Sequence, residues 1–245
     1  MNTPVVALLE ALLRRALPAL FDYQVHGLEH VPRGPAIIAS NHLGVLDPPA
    51  TLLALRDLTP PRHAHFLAKT SLYEVRFAGI PWLAYLLDQV DFIRLNPNEA
   101  DLTAFKAALR RLGEGRLIGI YPEGGITLVH EPRPALPGLA MLAQQAQVPV
   151  VPLGITGTRP LGWRAPDGRP VFNQMRLRFG PPIAPPPRGR MNDQQRRGYA
   201  QSVLDTCYRL TAQSLESDPP FPPPGAVASR QAGTGAQGVN SGSHD

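Results

Sequence analysis

The chain has 245 residues, 43% hydrophobic and 18% charged, with a net charge of +5 and a single cysteine. That length supports one substantial α/β domain with a buried core, and lone Cys207 excludes an internal disulfide. The basic balance fits an anionic substrate or an anionic lipid surface, while the absence of a zinc finger or an aromatic-studded basic patch argues against nucleic acid.

Residues 3–21 space their apolar side chains as a helix does, with Glu10, Arg14 and Arg15 interrupting. This predicts an amphipathic helix, too short and too charged to span a membrane and without a signal-peptide cleavage site. Packing on its own domain and lying in a membrane interface have equal weight, and both can hold. After a crossover at 22–34, the apolar run 35–40 predicts a buried strand. Asn41 and His42 follow, then four residues, then Asp47 before Pro48, which predicts a helix N-cap and a helix over 48–57. Residues 63–69 predict a second strand. His63 and His65 share one of its faces, but no further ligand nearby completes a metal set.

Residues 71–87 read as two helical pieces broken near Gly79-Ile80-Pro81, and 90–94 as a strand ending in Arg94. Asn98 predicts the start of a helix to Leu112, with acids in the first turn, Arg110 and Arg111 in the last, and Gly113 as stop. Residues 116–121 form a buried strand running into Pro122-Glu123-Gly124-Gly125. A helix over 137–146, a strand over 148–155, an alternating edge strand over 175–179 and a final helix over 193–215 complete the pattern. Residues 217–245, rich in Pro, Gly, Ser and Gln, read as a disordered tail after the domain at 22–216. Strands alternating with helices predict an α/β fold: a largely parallel sheet with crossover helices.

In such a sheet the carboxyl ends of the strands share one edge, where ligands bind. His42 with Asp47, Lys69, Arg94 and Glu123 all stand at predicted strand ends. A carboxylate on one imidazole nitrogen fixes the tautomer and leaves the other nitrogen to take a proton from a hydroxyl. The plainer readings are a surface histidine near a helix cap, strand-end cations paired with Glu123 or Asp91, and Glu123 capping its turn. Cys207, on a helix, reads as packing.

Asn41-His42, four residues and Asp47 resemble the first motif of the glycerolipid acyltransferases, the lysophosphatidic acid acyltransferase family. Further similarities follow in the family's order over about residues 25–160. Phe66-Leu67-Ala68-Lys69 resembles the strand with the acceptor-phosphate lysine, and Val90-Asp91-Phe92-Ile93-Arg94 the second motif with its substrate-binding arginine. Tyr121-Pro122-Glu123-Gly124 is similar to the start of the third motif, usually Phe-Pro-Glu-Gly-Thr-Arg-Ser, and 148–152 to the fourth. The resemblance implies catalysis by His42 and Asp47, with Lys69, Arg94, Glu123 and Gly124 binding substrate. It also implies transfer of an acyl group from acyl-CoA or acyl-carrier protein to a lysophosphatidate-like or lysophospholipid acceptor in phospholipid synthesis. No metal or organic cofactor is implied, and the enzyme would sit peripherally on the cytoplasmic face of a membrane.

This sequence departs from the pattern at several points. Gly125, Ile126 and Thr127 replace the usual Thr-Arg-Ser, Gly44 replaces a serine, and Asp88 stands where the second motif begins with glycine. Loss of the arginine at 126 leaves Lys69 and Arg94 as the expected phosphate partners, with a looser grip on lysophosphatidate. A non-catalytic lipid-binding relative and a thioester or lipid hydrolase are the alternatives.

Overall fold

The computed structural model describes residues 4–76, 82–96, 101–127, 133–158 and 174–217. Their strands are β1 (Tyr23–His26), β2 (Ala36–Ser40), β3 (Ala64–Lys69), β4 (Ile93–Leu95), β5 (Leu117–Ile120), β6 (Val150–Thr156) and β7 (Met175–Phe179). They form one sheet in the order β1-β7-β6-β2-β5-β3-β4. From β6 to β4 all neighbours are parallel, whereas β7 runs antiparallel to β6 and carries β1 parallel to itself.

Every residue of β2 and β6 is buried. Both read as continuous apolar runs because helices cover both faces of the sheet. Successive β2 side chains enter opposite cores. Ala36 and Ile38 join the core built with α1 (Pro4–Leu20) and α2 (Asp47–Arg56). Ile37 and Ala39 join the one built with α5 (Leu102–Gly113), α6 (Gly138–Ala146) and α7 (Asp193–Ser217). Two short helices, α3 (Thr70–Tyr73) and α4 (Trp82–Gln89), link β3 to β4.

The α1 helix is part of the domain rather than an appendage. Leu17 and, just beyond the helix, Phe21 are buried in the core with Leu13 beside them, while Leu8 and Leu12 near the amino end are exposed. No helix among the described residues is long and apolar enough to cross a membrane.

The structure corrects three sequence expectations. Asp101 caps α5, its side chain accepting from the Ala104 and Asn96 amides, so the helix starts at Leu102. Asn98 and Glu99, the break near 79–81 and the tail after 217 lie outside the described residues. The strand at 175–179 is internal, and the edge is β1, inside the stretch read as a crossover. The alternation came from Arg176, which is buried and tied to Asp22 at 2.7 Å and so mimics a solvent-facing position.

Candidate active site

β2 ends at Ser40, and Asn41 adds one further rung with its side chain. Its Nδ2 donates to the Ile155 carbonyl and its Oδ1 accepts from the Ile155 amide, both at 2.9 Å. The main chain is thereby released to turn at His42. The His42 Nδ1 lies 2.7 Å from Asp47 Oδ2. That same oxygen accepts from the Leu43 and Gly44 amides at 2.7 and 3.0 Å, so the loop wraps around one wholly buried carboxylate. Asp47 is therefore not the N-cap expected of it. Leu46 holds that place, and Asp47 opens α2 ahead of Pro48 and Pro49, whose missing N–H groups would find no intrahelical partner there. The helix dipole favours an acid at this end. With Nδ1–H donated to a carboxylate, Nε2 carries the lone pair.

Glu123 and Gly124, which the resemblance assigns to substrate binding, also shape this frame. Glu123 is 4% exposed, its Oε1 accepting from the His42 amide at 3.3 Å and its Oε2 from the Thr127 hydroxyl. The Thr127 amide in turn donates to the His42 carbonyl at 2.8 Å. Both backbone groups of His42 are thus held by one loop, 123–127. Gly124 sits at φ +69°, and a Cβ there would meet Leu136 at 2.6 Å, so the turn requires glycine. The Tyr121 ring stacks on His42 with centroids 4.0 Å apart, and on Phe66 at 5.5 Å. Burial, then the Asp47 charge, push the Tyr121 hydroxyl well above its ordinary pKa. This hydroxyl and Asp47 Oδ1 have no hydrogen-bond partner among the described residues.

The cations fall into two groups. A Cβ on Gly125 would lie 3.2 Å from Lys69 Nζ and 3.2 Å from Arg133 Nη1, so the two charges converge on its bare Cα. Arg133 had no signal in the motifs. It stands outside them in a Pro132-Arg133-Pro134 stretch, and the chain is brought back there by the Leu136 amide donating to the Pro122 carbonyl at 2.8 Å. Arg94, by contrast, is engaged elsewhere. Its guanidinium pairs with both oxygens of Asp88, at 3.0 and 2.8 Å, and lies over the Tyr73 ring. The carboxylate that departs from the family's second motif thus takes up the motif's own arginine.

His63 and His65 stand edge-to-face, their centroids 5.0 Å apart, and each donates to a backbone carbonyl, of Val90 and Asp91 respectively. No group of three or more metal-ligating side chains occurs among the described residues. Cys207 is buried, its thiol pushed up to about 12 by desolvation, and it donates to the Ala39 carbonyl.

Residues 22–156 match the family model described as Acyltransferase. The 1-acyl-sn-glycerol-3-phosphate acyltransferase of Bacillus subtilis is 24% identical over 163 residues, 65% of this chain and 73% of that protein. The enzyme of that name from Saccharomyces cerevisiae is 30% identical over 57% of this chain and 45% of its own length. The human 1-acyl-sn-glycerol-3-phosphate acyltransferase beta is 31% identical over 49% and 40%. The match thus spans less than half the length of the yeast and human relatives. The crystal structure of the 1-acyl-sn-glycerophosphate (LPA) acyltransferase PlsC from Thermotoga maritima shares the fold, with a TM-score of 0.59 at 23% identity over 89% of this chain and 81% of that one. More than half of the sequence lies inside the family model, and the chain belongs to the glycerolipid acyltransferase family, whose chemistry is acyl-group transfer.

Proposed function

We propose that the protein moves an acyl group from a thioester donor, acyl-CoA or acyl-carrier protein, to the free hydroxyl of a lysophosphatidate-like acceptor. The observation that carries this reading is the loop 123–127. Its ends hold the backbone of His42, and its middle, Gly125, receives Lys69 and Arg133. A base and a pair of cations so joined suit an acceptor with a hydroxyl at one end and a phosphate at the other. Relatives named for 1-acyl-sn-glycerol-3-phosphate support the same class.

In this mechanism His42 Nε2 takes the proton of the acceptor hydroxyl while Asp47 holds the ring and offsets the imidazolium charge. The oxygen attacks the thioester carbonyl, a C–O bond forms, the C–S bond breaks, and the departing thiolate receives the proton from the imidazolium. No acyl-enzyme intervenes. Two cations side by side repel one another until an anion lies between them, and a guanidinium fork pairs two phosphate oxygens at once. Arg133 thereby fills from another part of the chain the role vacated at Ile126. We expect a firm preference for a phosphate monoester in place of the looser grip the motif alone implied.

The surroundings support a membrane-facing mouth. Val45, Leu72, Val75, Ile126 and Leu136 are exposed large apolar side chains, and all follow the carboxyl ends of β2, β3 or β5. Such a rim suits an acyl chain and a bilayer surface. Together with Leu8 and Leu12 of α1 it supports peripheral attachment, which we assign to the cytoplasmic face.

The test is incubation with labelled acyl-CoA or acyl-carrier protein and a panel of lysolipids, with products identified by mass. Phosphatidate should form in preference to phosphatidylcholine, and Lys69→Ala/Arg133→Ala should erase that preference. Free fatty acid released without any acceptor would instead make the protein a hydrolase.

A further inference from the structure

The strands whose carboxyl ends frame His42 begin, on the opposite edge of the sheet, around a second cavity. The segments leading into β2, β3, β4 and β5 enclose about 510 Å³, within the range of small-molecule sites. Five arginines line it, Arg33, Arg56, Arg62, Arg111 and Arg116, against one acid, Asp91, among the described lining residues. That carboxylate is already engaged, 2.6 Å from Arg111 and 3.2 Å from His65 Nδ1. Arg111 also pairs with Glu114 at 3.4 Å, and Asp57 is turned to Arg14.

Arg62 is fixed in place by three carbonyls, of Pro32 at 2.5 Å, Gly34 at 2.9 Å and Gly115 at 3.0 Å. Its guanidinium therefore bridges the loops before β2 and β5. Burial, then the charge of Arg116, lower its pKa. The histidines add no charge at neutral pH, since burial holds both below their ordinary pKa, His63 at about 4. Val31, Leu58 and Val90 supply apolar wall.

Arg33, Arg62 and Arg116, with no acid paired to them among the described residues, repel one another, and an anion between them lowers that energy. Guanidinium forks fit phosphate oxygens in pairs. We propose that this cavity is a second ligand site, for a small phosphorylated molecule with at least two negative charges, free in solution or presented as a lipid headgroup. It uses none of the residues assigned to acyl transfer and does not rest on that reading.

Calorimetric titration with inorganic pyrophosphate tests it, on the whole protein as wild type, Arg33→Gln/Arg116→Gln and Lys69→Ala. Wild type should bind one equivalent saturably, more weakly as salt rises. The arginine variant should bind roughly tenfold more weakly or worse, and Lys69→Ala should bind as wild type does. Arg33→Lys/Arg116→Lys, which keeps the charge and loses the forks, should fall between and guards against misfolding of the glutamine form. Flotation with phosphatidate-containing vesicles separates the sources. Attachment that needs Arg33 and Arg116, without pyrophosphate binding, assigns the headgroup. Pyrophosphate binding lost with Lys69→Ala but kept in the arginine variant overturns the proposal, because the anion would then sit beside His42. Absence of both pyrophosphate binding and arginine-dependent flotation overturns it as well.

Discussion

The two ends of β2, β5, β3 and β4 carry opposite kinds of polar architecture. At the carboxyl edge the charges are few and tightly placed: one Asp47 oxygen takes up an imidazole nitrogen and two amides, and Glu123 spends both oxygens on holding His42 and Thr127. The rim around them is apolar. At the amino edge five arginines line a cavity with one acid, Asp91, among its described lining residues. The difference follows from what each edge can fix. A chain leaving a strand and turning into a helix offers free amides and a helix N-terminus, which orient small groups to within tenths of an ångström. Long arginine stems fix position poorly and charge well. Proton transfer needs the first arrangement, and electrostatic capture is served by the second.

The sharpest way to break this contrast is at the carboxyl edge. His42→Ala is expected to lower kcat/KM by about 10²–10⁴ without a matching loss of melting temperature, because the proposed mechanism uses the ring as a base and not as core packing. Asp47→Asn should be large but smaller. Near wild-type turnover from His42→Ala would refute the mechanism. Next in size, Arg133→Ala should raise KM for lysophosphatidate by the worth of a hydrogen bond to a charged group, about 1.5–3 kcal/mol, while Arg94→Ala does less. Equal effects of the two would show that Arg94 leaves Asp88 to meet substrate.

At the amino edge the expected signal is in stability rather than rate. Burial keeps folded His63 neutral down to about pH 4, whereas the unfolded chain takes up its proton near 6.5. Stability is therefore full above pH 6.5 and is lost as pH falls toward 4, by about 2 kcal/mol between pH 7 and pH 5. Urea unfolding at the two pH values should show that slope in wild type and a flatter one in His63→Gln. An unchanged slope would trace it to another group. The smallest effect belongs to Tyr121→Phe. It keeps the stack on His42 and removes a buried hydroxyl without a partner among the described residues, so stability should rise by about 1 kcal/mol. A fall would mean the hydroxyl has a partner in solution.

What the sequence disclosed was what local pattern encodes. The apolar run before His42 and the prolines after Asp47 placed β2, the loop and α2 because strand burial and the first helical turn leave their marks in consecutive residues. The roles inside that frame depended on distant partners. Asp47 was read as a cap, but its oxygen turns back to the amides of Leu43 and Gly44. The pairing of Arg94 with Asp88 was not legible either, since nothing in the motif shows that Asp88 reaches it across the turn. Arg133 gave no signal, because only the return of the chain at Leu136 brings it over Gly125. β1 was missed for the same reason: its ladder partner, β7, lies near the other end of the domain.

The close seat of α7 on the sheet has a consequence for the order of assembly. A Cβ on Gly154 would lie 2.7 Å from the Thr211 amide and 2.8 Å from the Cys207 carbonyl, so the helix backbone rests directly on β6. The Cys207 thiol reaches the Ala39 carbonyl, three residues before His42. In chain order His42 and Asp47 come before the helix that covers β2 and β6, and that helix follows every described strand. The face of β2 that leads to His42 is therefore completed only when α7 docks.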